Sequence, residues 1–364
     1  MEMRKILLLI FVLVSLYGCI PGTGETNSNL KPKASSEPGE IILVMDSLHW
    51  DSKLGKEIKK TFQQLTPGLP RPEPLFTVRY IRPNDFRSIL KYAKNIIIVS
   101  VLDNYSSGSE RTKRFFTQGS LKQINDDTTK FLYTKKEEWA RGQEVMYLFG
   151  KTEDILSHHI RDNRSKLQDH FNNIERKRTV SGLYKAKELK EVRNMLLRNH
   201  NFSIRIPFGW RIDFEEKSKN FIWLRNPGLV VDKNLWIYYT DYTDEKVFDD
   251  VTALRNAVTK EYIYDDKEAN DTSYVVVETL VPPIIKRTIF NNNFAIEVRG
   301  LWKTNNLSMG GPFLSYVFVD ESINRLYYID GFVYSPSKPQ REYIRELETI
   351  LKTFRVEEKA GTSQ

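Results

Sequence analysis

The chain has 364 residues, 40% apolar and 12% aromatic, with one cysteine and a formal net charge of +8. That length accommodates two domains of ordinary size, and the apolar fraction suffices for a core in each. One cysteine excludes internal disulfides and cysteine-based metal centres, and no H-E-x-x-H, G-x-S-x-G or P-loop pattern is present.

The N-terminus begins with a positive region at Arg4 and Lys5, followed by an uncharged apolar run from Ile6 to Leu16. The run is too short for the roughly 20 residues of a membrane-spanning helix and has the layout of an export signal. Leu16-Tyr17-Gly18-Cys19 resembles the lipobox read by lipoprotein signal peptidase. The resemblance implies a signal peptide over 1–18 and lipid modification of Cys19, making it the acylated mature N-terminus. An ordinary secretory signal with an incidental cysteine is the alternative. Two or three acyl chains, at about 0.8 kcal/mol per buried methylene, make a stable membrane anchor. From Ile20 to Glu40 the chain is rich in Pro, Gly, Ser and Asn and poor in large apolar residues, so 19–40 reads as a lipidated cysteine with a disordered tether.

Residues 41–150 alternate strand and helix. Ile41 to Met45 fits a buried strand, and Asp51 or Ser52 can cap a helix carrying Leu54, Ile58, Phe62 and Leu65. Pro67 to Pro74 forces an extended loop, Leu75 to Ile81 is a second strand, and Asn84 caps a short helix through Ala93. Ile96 to Val99 forms the centre of a third strand. Such uninterrupted apolar runs predict a mainly parallel sheet covered on both faces. A helix near 109–125, a strand near 130–133, a turn of helix around Trp139 and a strand from Val145 to Phe149 complete this part.

Residues 151–200 read as a helical connector broken at Val180-Ser181-Gly182. They hold 12 Lys and Arg against 7 Asp and Glu, a surplus suited to anionic headgroups or acidic envelope polymers, or simply a solvated helix face. Residues 201–356 are dominated by strands with hairpin spacing, interrupted by a helix carrying Val247, Val251, Leu254, Val258 and Tyr262 and closed by another. Ser337 and Gln340 suggest a capping box for the last helix, with Pro339 in its first turn, and Glu348 and Lys352 an i,i+4 pair. Residues 357–364 form a polar tail.

Two places carry candidate binding chemistry. Ser106, Ser107, Gly108 and Ser109 follow the third strand and lead into a helix bearing Arg111, with Asp46 ending the first strand. They suggest an anion site, against which stands a plain capped loop. Further on, strand alternation sets Ala295, Glu297 and Arg299 on one face and Phe294, Ile296 and Val298 on the other. Gly300 suggests a bulge and Gly310-Gly311-Pro312 a turn. An Arg299–Asp330 pair beside Trp302 and Tyr328 suggests a groove for a glycan or peptide, or a structural hairpin with a buried ion pair. The adjacent His158 and His159 point about 100° apart on a helix and do not share a metal. Neither a catalytic residue, a metal nor a cofactor is expected.

The lipobox, Gly68 to Phe76, Arg299-Gly300-Leu301-Trp302, Met309 to Phe313 and Asp330-Gly331-Phe332 resemble an uncharacterised lipoprotein family of Bacteroidota, a domain of unknown function. Phe202 to Trp210 resembles the opening strand of PsbP-like domains, which implies an antiparallel sheet with flanking helices. Only one acid, Glu25, closely follows Cys19, and the resemblance then implies an anchor facing the periplasm.

The expected fold class is α/β plus α+β: a mainly parallel N-terminal sheet domain over 41–150, a helical connector over 151–200, and a PsbP-like antiparallel domain over 201–356. The expected function is non-enzymatic binding or assembly by an envelope lipoprotein, held to the outer membrane by its lipid. Expected partners are an envelope protein or polymer, not nucleic acid. An enzyme acting on an envelope glycan or lipid is the alternative.

Overall fold

The structure, a computed structural model, describes residues 30–264 and 272–357. The expected signal over 1–18, Cys19 and the expected tail beyond Glu357 lie outside the described residues. No helix among those described is long and apolar enough to cross a membrane. The protein is of the mixed α/β class, with a parallel-containing sheet in its N-terminal part and an antiparallel sheet with helices in its C-terminal part.

In chain order the first part contains β1 (Glu40–Val44), α1 (Lys53–Phe62), β2 (Thr77–Ile81), β3 (Asn95–Val101), α2 (Ser107–Lys113), α3 (Gln118–Asp126), β4 (Leu132–Lys136) and β5 (Glu144–Gly150). The chain forms two compact units, and they interleave in sequence. One holds Ile41–Ser47 and Arg79–Thr152 together with 30–37, and the other holds Pro38–Glu40, Leu48–Val78 and everything from Glu153 onward. Residues 48–78, expected inside a domain spanning 41–150, therefore cluster with the second unit, as does the helical stretch expected as a connector.

The first unit is built on the strand order β2-β1-β3-β5-β4, with β1/β3 and β3/β5 parallel and β4/β5 antiparallel. All seven residues of β3 and of β5 are buried, as their apolar runs require of strands covered on both faces. The helix expected over 109–125 is two helices. Ser106 caps α2 by accepting from Ser109 N–H at 3.0 Å, and Thr117 caps α3 by accepting from Ser120 N–H at 3.1 Å. The short helix expected after Asn84 is a 3₁₀ turn over Ser88–Tyr92. No helix forms at Trp139, which packs edge-on against Phe86 and Phe115. Part of the expected tether is also ordered. Ala34 N–H donates to Arg141 O, Arg141 N–H to Pro32 O, and Ser35 N–H to Tyr92 O, each at 2.8–2.9 Å. Backbone pairing requires no large side chains, so composition gave no sign of it.

The second unit adds α4 (Glu153–Asp162), α5 (Arg164–Leu183), α6 (Lys190–His200), β6 (Phe202–Ser203), β7 (Arg211–Glu216), β8 (Phe221–Asn226), β9 (Asp232–Asp241), α7 (Val251–Tyr262), β10 (Val275–Val277), β11 (Ile284–Phe290), β12 (Asn293–Thr304), β13 (Gly310–Asp320), β14 (Arg325–Tyr334), α8 (Arg341–Leu351) and β15 (Arg355–Val356). α5 runs unbroken through Val180-Ser181-Gly182, where a side chain on Gly182 would meet open space. The break lies instead at Asn163 and after Leu183. Phe62 of α1, Phe76 and Phe171 of α5 form an edge-to-face triad with centroids 5.9–6.3 Å apart.

The antiparallel sheet runs β10-β12-β13-β14-β9-β8-β7, with β11 on β12. Its alternation splits the core. Trp236, Val298, Trp302, Phe313 and Tyr328 pack with α7, and Ile237, Ala295, Leu314, Tyr316 and Ile329 pack with α8. Pairing is continuous through Gly300, so no bulge forms there; an added Cβ would sit 2.9 Å from the Phe313 ring. Gly310-Gly311-Pro312 is not a turn but the start of β13, paired with Leu301–Lys303. A Cβ on Gly311 would lie 2.0 Å from Val333 O, so close strand approach requires glycine. Two strands of this part are short: β10 spans only Val275–Val277, and β6 only Phe202–Ser203, paired with β15. At α8 no capping box forms. The Glu73 carboxylate instead accepts from Gln340 N–H at 2.6 Å and Arg341 N–H at 2.9 Å, placing a charge where the helix N-terminus favours one.

Candidate functional site

A cleft of about 340 Å³ in the second unit gathers the densest charge. Helical spacing puts Arg341, Arg345, Glu348 and Lys352 on one side of α8 and its C-terminal turn. Strand alternation brings Glu297 and Arg299 of β12 to the same face, with Lys286 of β11 opposite Glu297. Asp169 and Arg176 come from α5, and the Gln64–Pro67 loop after α1 closes one wall. Six cationic side chains thus surround the space against three carboxylates.

Arg299 lies at the centre, with only 12% of its side chain exposed. Its Nε donates to Glu297 at 2.7 Å and its Nη2 to Glu348 at 3.0 Å. Glu348 also pairs with Lys352 at 2.7 Å, as its i,i+4 spacing predicts, and with Arg176 at 3.6 Å. Burial by itself would raise the Glu348 carboxyl, but Arg299 and Lys352 outweigh it and hold the group well below the usual carboxylate range. Burial would likewise lower Arg299, yet Glu348 and Glu297 keep it charged far above the ordinary value. Burial and the same two carboxylates push the Tyr316 phenol well up, so it stays protonated.

The outer cations are less neutralised. Arg345 shares Glu342 with Arg341, and its Nη2 donates to Leu75 O at 3.1 Å, while Arg341 Nη1 donates to Pro74 O at 2.7 Å. Carbonyl oxygens orient a guanidinium without cancelling its charge. Lys286 is exposed and has no ion-pair partner among the described residues. The cleft therefore presents oriented, net positive charge over a rigid ion-paired floor.

Of the expected binding residues, only Arg299 lies here. Asp330 does not pair with it, because Arg299 faces α8 and Asp330 faces α7. Asp330 accepts from Arg255 Nε at 2.9 Å, from Arg255 Nη2 at 3.3 Å and from Ser315 Oγ at 2.5 Å, and both ions are fully buried. Trp302 is buried on the α7 face, its indole donating to Val333 O at 3.1 Å, and Tyr328 stacks on Trp236 with centroids 5.1 Å apart. The groove expected between Arg299, Trp302 and Tyr328 does not form, because the sheet separates them. Arg255 carried a readable signal: it falls on the apolar stripe of α7, four residues after Val251 and three before Val258.

The loop site is also altered. Ser106 Oγ donates to Asp46, and a Cβ on Gly108 would lie 2.2 Å from that carboxylate. Ser109 is buried, with its hydroxyl donating to Val101 O at 3.2 Å. Arg111 is exposed on α2. The chain's own carboxylate occupies the position expected for a bound anion, and like charge repels one there.

Residues 34–184 match the model of a family described as a domain of unknown function (DUF8532), and residues 188–353 match another domain of unknown function (DUF4837). No curated protein matches. Among solved structures, a crystal structure from Bacteroides thetaiotaomicron is similar at 11% identity and TM-score 0.26, over 45% of this chain and 47% of that one. This chain thus spans about half the length of that structure. The human StarD13 (DLC2) lipid transfer and protein localization domain is similar at 10% identity and TM-score 0.22, over 46% of this chain and 96% of that one. Similarity this low establishes no shared fold or function.

Proposed function

We propose that this chain is a lipoprotein of the cell envelope, anchored through Cys19 to the outer membrane and facing the periplasm, that binds an anionic envelope component in the cleft around Arg299. The observation that carries the reading is the ring of six cations against three lining carboxylates and Glu342, the single acid that Arg341 and Arg345 share, with both guanidiniums also held on carbonyls. Binding is favoured over catalysis because guanidinium contacts hold Glu348 charged, whereas a general acid needs a raised pKa. The anchor rests on the positive region, short apolar run and lipobox-like ending at Cys19.

Calorimetric titration with inorganic pyrophosphate and with a trigalacturonate tests the two common anionic groups. At least one should bind, more weakly as salt rises, and Arg176→Gln with Lys352→Gln should weaken it tenfold or more. If neither probe binds at millimolar concentration, or the variant binds equally well, the cleft reading fails. Labelled palmitate should enter the wild-type chain in a bacterial host and not Cys19→Ser; equal labelling would overturn the anchor.

A further inference from the structure

β11 pairs with β12 from Ile284↔Arg299 to Phe290↔Asn293 and with no other strand among the described residues. Among the described residues its outer edge is therefore unpaired along seven residues, where alternate backbone N–H and C=O groups point outward. Its side chains are unusual for a protected edge. Ile285 is 53% exposed and Ile289 is 68% exposed, and Phe294, directly opposite Ile289 on β12, is 50% exposed. These three lie on the α7 side of the sheet with Arg287, while Lys286 lies on the cleft side. From Leu280 to Asn293 the chain contains no Asp or Glu.

Lys and Arg on an edge ordinarily prevent strands from pairing indiscriminately. In an antiparallel pairing of two copies centred on either cation, Arg287 would face Arg287 or Lys286 would face Lys286, and like charges directly opposite are destabilising. A strand with an acid opposite Lys286 on the cleft side would meet the reverse situation, and apolar side chains on its other face would cover Ile285, Ile289 and Phe294. We propose that the β11 edge receives an extended acidic segment of a partner protein by strand addition, with acidic side chains alternating with branched apolar ones. Backbone pairing supplies affinity, and the alternation supplies register and selectivity. The acids face Lys286 on the cleft side, and the apolar residues face the isoleucines on the other.

The edge is a second site that shares only Lys286 with the anion cleft, so the test uses positions belonging to one or the other. The full chain is titrated with a fluorescent ten-residue peptide alternating Glu and Val, with its Lys-Val counterpart, and with a Glu-Val version carrying Pro at alternate positions. The Glu-Val peptide should bind, the other two at least tenfold more weakly, and outward-facing amides of 284–290 should gain hydrogen-exchange protection. Ile285→Ser with Ile289→Ser, both exposed and tolerable to folding, should weaken binding tenfold or more, while Arg176→Gln with Lys352→Gln changes it less than threefold. Equal binding of the Lys-Val peptide, no binding at millimolar peptide, no gain in protection, or dimerisation through β11 in sedimentation would each overturn the proposal. Pyrophosphate binding without peptide binding rejects the edge and leaves the cleft reading standing; the opposite result rejects the cleft alone.

Discussion

Removing one member of the Arg255–Asp330 pair should damage the protein more than removing both. The two groups are fully buried, and the carboxylate accepts from Arg255 and Ser315. Arg255→Met leaves Asp330 as a buried charge held by one hydroxyl. Asp330→Leu strands a guanidinium whose Nη1 already lacks a hydrogen-bond partner and whose remaining contact is the face of Phe313, 4.0 Å away. Breaking a buried pair in this way costs about 3–5 kcal/mol, whereas replacing both ions by apolar groups of similar volume is neutral or stabilising by about 1–4 kcal/mol. At roughly 2–4 °C per kcal/mol for a domain of this size, each single variant should lose about 6–20 °C and the double variant little or nothing. The assay is urea and thermal unfolding followed by tryptophan fluorescence, because Trp236 stacks on Tyr328 in the same core. The chain has two compact units, so separate transitions are fitted separately. Single variants costing under about 1 kcal/mol, or a double variant as unstable as the worse single one, would refute the reasoning.

Three further outcomes follow from local geometry. Glu73→Ala removes the carboxylate from the α8 N-terminus and should cost about 1 kcal/mol, with hydrogen exchange quickening first at residues 340–343. The folded-state pKa of Glu348 lies below its unfolded value of about 4.3. Its stabilisation is therefore present above that pH and is lost as the pH falls through the window down to the folded value, and Glu348→Gln should flatten the acid limb of the stability–pH curve below about pH 4. Gly311→Ala places a methyl against Val333 O, the acceptor of the Trp302 indole, and should cost about 1–3 kcal/mol with a change in near-ultraviolet circular dichroism.

What could be read in advance was whatever depended on neighbours in sequence. The run Ile96 to Val99 declared a strand buried on both faces, and alternation correctly placed Arg299 with Glu297 and away from Val298. The i,i+4 pair Glu348–Lys352 formed as spacing implied. The cleft was not legible, because its cations come from positions as distant as Arg176, Lys286, Arg299 and Arg345 and converge only when α5, β11, β12 and α8 pack. Asp330 was assigned the wrong cation for a related reason. Arg299 was near it in strand order, but parity along the strands put the two on opposite faces, and the true partner waited on α7. Gly300 and Gly311 were read as backbone irregularities when they are sites of close packing, a distinction that depends on Phe313 and Val333 being present.

The cap that Glu73 provides for α8 has a consequence for the order in which the protein can be made. Glu73 precedes Gln340 by 267 residues, so at a ribosome adding about 5–20 residues per second the acid exists for about 13–53 s before the helix it completes. The matched family segment beginning at residue 188 lies wholly within the second unit, yet that unit also contains the strip from Leu48 to Val78. A fragment starting at 188 would contain the whole antiparallel sheet and still lack Glu73, Phe62, Phe76 and Phe171. The contact between Glu73 and the start of α8 therefore waits for the last helix of the unit to be made. The boundary of the matched segment and the boundary of the compact unit fall at different places in this chain.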